Sequence, residues 1–274
     1  MTPEQFTNFA NVEQEHWWFS GRRRIYREII RRIVPPNRGE VIIDVGCGTG
    51  GTLASLADEY TCVGIDPTAD AIQFSRDRYP HVHFVLGQFP EGLDDYLPRA
   101  ALISCMDVIE HIENDVDFVR QLVDSLRPGA HLLLTVPADM SLWSKHDVIN
   151  DHFRRYDRAM FENVWAGMPV SLRLISYFNS RLYPMIKTVR RLQQWKLLGA
   201  KGDDGSDLRM PSPLTNRILR RIFGGEAGAV LRTLDSPGHP AYGHGVSLVA
   251  LLRREAEVPE LAPAASLNRP AMTI

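Results

Sequence analysis

Apolar residues arrive along this chain in short bursts separated by polar, helix-forming stretches. Val41-Ile42-Ile43-Asp44-Val45 is a β-branched run that stops at glycines. Cys62-Val63-Gly64-Ile65-Asp66, His83-Phe84-Val85-Leu86, Ala101-Leu102-Ile103-Ser104-Cys105 and the run from His131 to Val136 repeat the theme. Within each burst the apolar residues are continuous rather than alternating, which predicts strands buried on both faces. The intervening stretches predict helices from Thr52 to Tyr60, Ala69 to Tyr79 and Asp115 to Leu126. Strand and helix alternate with short connections, the signature of a parallel sheet covered by helices on both sides.

The flanks follow other patterns. Residues 5–34 predict a helical segment with a break around Trp17–Gly21; Ile25, Ile29, Ile30 and Ile33 recur at helical spacing, and Pro35-Pro36 ends it. Beyond Pro137 comes a polar loop from Ser141 to Tyr156, a helix from Arg158 to Ala166 and a strand from Ser171 to Tyr177. Residues 180–198 predict a basic amphipathic helix, and Gly199 to Pro213 a loop rich in Gly, Asp and Ser. Leu214 to Leu234 predicts a helix that Gly224-Gly225 interrupts, and Gly245 to Leu252 a last strand. This divides the chain into an N-terminal helical cap or lid (1–37), a ligand-binding core (38–177), a helical insertion (178–243), a final core strand (244–254) and a tail (255–274) whose Ala- and Pro-rich composition predicts disorder.

Composition narrows the class without naming it. The chain has 274 residues, 44% hydrophobic and 23% charged, as in ordinary globular proteins. A net charge of −2 gives no electrostatic case for a nucleic-acid partner. Cys47, Cys62 and Cys105 form no CxxC pair, which suits a reducing, cytoplasmic setting. The first residues lack the basic and apolar regions of a secretory signal, and no apolar run approaches the ~20 residues that span a bilayer. The 180–198 helix suits a dimer contact or a basic surface better than a membrane, so a monomer or homodimer is expected.

The candidate chemistry centres on Asp44-Val45-Gly46-Cys47-Gly48-Thr49-Gly50-Gly51, a glycine turn between a strand and a helix. Glycines let the chain turn tightly and let a ligand approach the backbone, while the first N–H groups of the next helix have no internal partner. Gly46, Gly48 and Gly51 also satisfy the GxGxxG dinucleotide pattern, so a nicotinamide or flavin enzyme is a rival. Asp44 weighs against a pyrophosphate and suits a cofactor carrying an ammonium and a sulfonium. Asp66, closing the second strand, can accept ribose hydroxyls from either cofactor.

This pattern resembles the class I S-adenosylmethionine-dependent methyltransferases over residues 40–137, especially the small-molecule branch that includes the ubiquinone and menaquinone biosynthesis enzymes. Cys105-Met106-Asp107-Val108-Ile109-Glu110-His111-Ile112 is similar to the family's motif after strand four, and Leu126-Arg127-Pro128-Gly129-Ala130 to its approach to strand five. The resemblance implies a Rossmann-like seven-stranded sheet with an antiparallel last strand, and S-adenosylmethionine as cofactor. It assigns the methionine part of the cofactor to Asp44, Gly46, Cys47, Gly48 and Gly50 with Met106 and Asp107, and the ribose to Asp66, followed by Pro67. Relatives carry an acid or amide for the adenine after strand three; here the stretch is Leu86-Gly87-Gln88-Phe89, which offers Gln88 and the Phe89 ring. The His16–Arg24 segment and the HxRRY segment at 152–156 resemble stretches in uncharacterised methyltransferases, with Trp18 and Arg22 expected to close over the cofactor.

Methyl transfer requires a nucleophile aligned with the methyl and shielded from water, helped by a general base when the nucleophile is a hydroxyl. Histidine suits that role at neutral pH, so His111, His146 and His152 are candidates, with Tyr156 beside them. Arg154 and Arg155 suggest an anionic acceptor, since guanidinium pairs with carboxylate or phosphate. His146 and His152 lack further ligand spacing, so no metal site is expected. The expected activity is methyl transfer to oxygen or nitrogen of a small, anionic metabolite, sugar or natural-product intermediate. Two alternatives stand beside it: an NAD(P)-dependent oxidoreductase, for which Tyr183 and Lys187 have the spacing but lie in the insertion, and a non-catalytic module that binds the cofactor and regulates a partner.

Overall fold

A computed structural model describes residues 12–37, 39–194 and 210–256. Its strands are β1 (Val41–Val45), β2 (Thr61–Asp66), β3 (His83–Leu86), β4 (Ala100–Met106), β5 (His131–Pro137), β6 (Val170–Phe178) and β7 (Ser247–Arg254). They form one seven-stranded sheet in the order β3-β2-β1-β4-β5-β7-β6. Neighbours from β3 to β5 run parallel, while β7 lies antiparallel between β5 and β6. The sheet is Rossmann-like, with the antiparallel last strand that the motifs implied.

The continuous apolar strands are buried on both sides, as their composition requires. Val41, Ile43 and Val45 point to one face, with Val119 and Leu122 of α4 (Asp115–Asp124) and Phe161 of α6 (Arg158–Asn163). Ile42, Leu102, Leu133 and Leu251 point to the other, against Ile25, Ile29 and Ile30 of α1 (Trp17–Ile33). The same face carries Ile72 of α3 (Ala69–Arg78), Phe223 of α8 (Pro213–Gly224) and Val230 of α9 (Ala227–Arg232).

Helix α1 is thus a layer of the fold, and its first two turns reach the sheet edge where the glycine turn lies. Its break falls at His16, just ahead of the expected stretch; the His16 Nδ1 accepts the Trp18 N–H at 3.3 Å and caps the helix. Gly21 lets α8 come close, because a Cβ there would stand 2.4 Å from Phe223 Cδ1. The insertion therefore packs beside the N-terminal helix. Its start is pinned to the junction of α8 and α9 by the buried Glu226, whose Oε1 accepts the N–H groups of Ser180 at 2.9 Å and Arg181 at 2.8 Å.

Several elements differ from the sequence pattern. The helix expected from Thr52 to Tyr60 is only α2, Gly51–Ala54, followed by turns; the Ser55 hydroxyl donates to the Thr52 carbonyl at 2.6 Å, a local bond that competes with helix continuation. The polar loop after β5 holds a short helix α5, Lys145–Ile149, started by a capping box of Ser144 and Asp147. The helical stretch near the C-terminus divides at Gly224–Gly225 into α8 and α9, as its glycines suggested. Helix α7 covers Tyr183–Gln194. Residues 180–182, expected in that helix, precede it as non-helical chain; residues 195–198, most of the loop after them, residues 1–11 of the expected cap and the tail beyond residue 256 lie outside the described residues. Among the described residues no helix is long and apolar enough to cross a membrane.

Candidate active site

The parallel strands all end at one edge, and the chemistry-bearing residues of the sequence gather there. The turn after β1 is built on positive φ at Gly46 (73°), Gly48 (53°) and Gly50 (74°). Two of these glycines are required by close approach: a Cβ at Gly46 would stand 2.4 Å from Val108 Cγ2, and one at Gly50 2.6 Å from Phe84 Cζ. A Cβ at Gly48 would meet nothing within 4 Å, so the turn presents bare backbone to open space. The Cys47 thiol packs against Gly64, and burial pushes its pKa up, which suits a packing residue and not a nucleophile.

Two carboxylates frame the turn. Asp44 is 3% exposed and accepts the Ser104 hydroxyl at 2.6 Å. Burial pushes its carboxyl up to about 7; Asp66 and Glu13 add repulsion, while the Ser104 bond opposes the rise. A cationic ligand beside Asp44 would restore its charge. Asp66 accepts the Gly48 N–H at 2.9 Å and the Thr68 N–H at 2.8 Å, fastening the end of β2 to the turn. Its carboxylate retains acceptor positions for a diol. Pro67 follows at the exposed rim. Bare backbone, a buried acid and a strand-end acid fit a ligand with an ammonium, a sulfonium and a ribose.

The first two turns of α1 supply a further wall. Arg22 pairs with Asp107, donates to the Tyr26 hydroxyl at 3.1 Å and lies 5.5 Å from the Trp18 ring centroid. Burial works against its charge, but Asp107 and Tyr26 outweigh it and the guanidinium pKa rises. Asp107 takes φ 54°, rare for a side-chain-bearing residue, and its N–H donates to the Thr135 carbonyl at 2.9 Å. Trp17 and Trp18 pack on Phe223 at 6.0 and 5.5 Å, so these aromatics anchor the helix as well as line the site. Met106 is half-buried against the same core.

Beside the turn opens a cavity of about 540 Å³. Trp17, Trp18 and Phe19 of α1 form one side, and Met185, Ile186 and Val189 of α7 form another. The floor carries Asp107, Glu110, His111, His146, His152 and Arg155. The three histidines come together from two segments: the His111 and His152 rings lie 4.6 Å apart, and those of His146 and His152 6.3 Å apart. His152 Nδ1 stands 3.0 Å from Asp147 Oδ1. Arg155 grips the same carboxylate through Nε at 2.8 Å and Nη2 at 3.1 Å. Burial works against the charge on Asp147, but His152 and Arg155 outweigh it and hold its carboxyl below the usual range. For His111, burial and the neighbouring His152 lower the pKa, which favours neutral imidazole.

Other anticipated residues lie elsewhere. Tyr156 is 1% exposed, and its hydroxyl donates to Asp115 Oδ2 at 2.6 Å; burial and Asp115 raise its pKa, so it is a core residue beneath the loop and not a group facing the cavity. Arg154 pairs with Asp115 at 2.8 Å and Arg155 with Asp147, which removes the two arginines as the reason to expect an anionic acceptor. Phe89 is buried in the core cluster, leaving the exposed Gln88 as the candidate toward the adenine. The Tyr183 hydroxyl and Lys187 Nζ both reach Asp139, so that pair ties α7 to the loop after β5. Sequence reasoning missed three acids. Glu13 bonds the Thr49 hydroxyl, Asp147 organises the loop, and Glu110 lies 1% exposed with Oε2 unpartnered.

Comparisons with known proteins bear on the family and the fold. A protein from Mycolicibacterium smegmatis named "Probable S-adenosylmethionine-dependent methyltransferase" is 28% identical over 132 residues, covering 46% of this chain and 48% of that protein. A tRNA U34 carboxymethyltransferase from Tolumonas auensis is 33% identical over 116 residues, covering 38% of this chain and 34% of its own length. The matched segment thus spans about half or less of these relatives. Among solved structures, a chain from the complex of the Haloferax volcanii Trm112 methyltransferase activator with a methyltransferase superposes with a TM-score of 0.55 at 14% identity, covering 93% of this chain and 96% of that one. The family model described as "Methyltransferase domain" matches residues 18–183, more than half of the chain. That match takes in the glycine turn, Asp66 and the Asp107–His111 segment together, and the chain belongs to the methyltransferase-domain family of S-adenosylmethionine-dependent proteins.

Proposed function

We propose that this protein transfers a methyl group from S-adenosylmethionine to an oxygen or nitrogen of a small acceptor with an apolar portion. The observation that carries this reading is that the segment after β4 reaches both places: Val108 packs on Gly46 of the turn, while Asp107, Glu110 and His111 line the cavity, whose floor is polar and whose walls are aromatic and aliphatic. Asp44, Gly46, Gly48, Gly50 and Asp66 would hold the cofactor, with Met106, Asp107, Trp18 and Arg22 beside it. When bound, the cofactor supplies an activated methyl on a sulfonium, a leaving group that needs no protonation.

The chain's own task is then to hold the acceptor and exclude water. The apolar residues of α1 and α7 receive the acceptor's hydrocarbon part. Its nucleophile faces the histidine wall, where Asp147 fixes the His152 ring and the acceptor can lose its proton. Charge on the acceptor is not required, since Arg22, Arg154 and Arg155 each already have an acidic partner.

The test is transfer of labelled methyl from S-adenosylmethionine to a panel of hydroxylated and aminated acceptors carrying aromatic or aliphatic groups. Transfer that is lost in Gly48→Val and reduced in Val189→Asp supports the reading. Cofactor binding with no transfer to any acceptor across the panel would favour a non-catalytic module instead.

A further inference from the structure

Glu110, His111 and His152 come from two segments of the chain, yet each offers a ligand atom within 4.8 Å of the other two. The first two follow β4, and the third lies in the loop after β5. That loop is fastened to the first segment by the Phe153 N–H, which donates to the Glu110 carbonyl at 2.8 Å.

Three features go beyond simple proximity. Glu110 is 1% exposed and its Oε2 has no hydrogen-bond partner, a costly arrangement for a carboxyl group unless something completes it. Both imidazoles already have a polar partner: the Asp147 carboxylate stands 3.0 Å from His152 Nδ1, and the Asn150 backbone hydrogen-bonds the His111 ring. A histidine that binds a metal ordinarily gives its other nitrogen to a carboxylate or a backbone carbonyl in this way. The cluster also has access, because all three residues line the 540 Å³ cavity.

The geometry points to a divalent transition-metal site, of the zinc type, formed by Glu110, His111 and His152. Two imidazoles and one carboxylate are a set that zinc, iron(II) or cobalt(II) accept, and harder magnesium or calcium do not favour two nitrogen ligands. Metal–ligand bonds of about 2.0–2.2 Å place the ligands of a tetrahedral ion about 3.4 Å apart, so closing from within 4.8 Å takes shifts of about an ångström in the side chains. Three protein ligands leave a coordination position facing the cavity. Resting on the methyl-transfer reading, that position would receive the acceptor's oxygen or nitrogen, and the ion would lower its pKa and hold it beside the glycine turn. His111 and His152 would then act as ligands and not as bases.

The experiment is metal titration of the chelator-stripped full chain, read by retained metal after desalting, by chelator competition with zinc, and by the visible absorption of cobalt(II). One equivalent per chain is expected, with a cobalt spectrum of low coordination number. Glu110→Gln and His152→Asn should weaken zinc at least 100-fold, and Asp147→Asn about 10–100-fold through the His152 ring. Because buried variants can fail to fold, His111→Gln, at an exposed position, serves as the second variant and should also weaken zinc at least 100-fold, with an unchanged thermal melt. Substoichiometric retention, or equal zinc affinity in wild type and His111→Gln, would overturn the site. Cofactor titration is run separately on the stripped chain, so loss of S-adenosylmethionine binding would count against the methyl-transfer reading and leave the metal result standing.

Discussion

Asp147, fully buried, holds the His152 ring through Nδ1 at 3.0 Å and is itself held by the Arg155 guanidinium. The same carboxylate accepts the Ser144 N–H at 2.8 Å, so it starts α5 as well. One acid thereby sets the shape of the loop after β5 and the direction in which His152 faces.

Asp147→Asn is expected to lower unfolding stability by about 3–5 kcal/mol, because Arg155 would remain buried without a counter-charge. His152→Ala should cost less, about 1–2 kcal/mol, since it removes one hydrogen bond from a carboxylate that keeps its arginine. Urea unfolding monitored by tryptophan fluorescence measures both. Equal midpoints for Asp147→Asn and wild type would contradict the role assigned to Asp147.

The glycine turn separates stability from binding. Gly46→Ala should destabilise by about 2–4 kcal/mol, combining positive φ with the close approach of Val108. Gly48→Ala has open space and should cost only about 1–2 kcal/mol of left-handed strain. It should nonetheless weaken S-adenosylmethionine strongly, because the new methyl enters the face that the cofactor is proposed to occupy. Thermal melts paired with calorimetry resolve the two effects, and Gly48→Ala with normal cofactor affinity would place the cofactor elsewhere.

Cofactor affinity should depend on pH through Asp44, whose carboxyl lies at about 7. Below that value the group is neutral and offers little to a cationic ligand; above it the group is charged. Asp66 and Glu13 face it and raise that value, while Ser104 and Arg22 lower it. Affinity is therefore expected to rise roughly tenfold from pH 6 to pH 8. Asp44→Asn should bind weakly and with a flatter profile. Calorimetry at several pH values checks this, and affinity that falls as pH rises would have the wrong sign.

Phe223→Ala tests the joint between the insertion and the N-terminal helix. The ring is fully buried against Gly21, Trp17, Trp18 and Phe178. Its removal should cost about 3–5 kcal/mol. It should also weaken cofactor binding, because Trp18 and Arg22 lose their support. Hydrogen exchange over residues 17–26 measures the loosening, and unchanged protection there would separate the insertion from the site.

The sheet and the glycine turn were legible because both are local. Buried parallel strands write continuous apolar runs, and a tight turn writes glycines at fixed spacing. Asp44, Asp66 and Asp107 sit at strand ends that those patterns locate. What was not legible depends on distance along the chain. Glu13 joins Thr49, and Asp115 takes both Tyr156 and Arg154, through contacts that no periodicity marks. Tyr156 and Arg155 looked like site groups for their residue type, and only tertiary packing shows their partners to be internal. The packing of α8 against α1 was hidden for the same reason, although Gly21 carries a trace of it: a glycine inside a helix signals close approach.

The most direct test of the account is calorimetric titration of the purified chain with S-adenosylmethionine, and in parallel with NAD. Saturable binding of S-adenosylmethionine at one site, strongly weakened by Asp66→Ala and absent for NAD, is the predicted result. Binding of NAD with none of S-adenosylmethionine would contradict it.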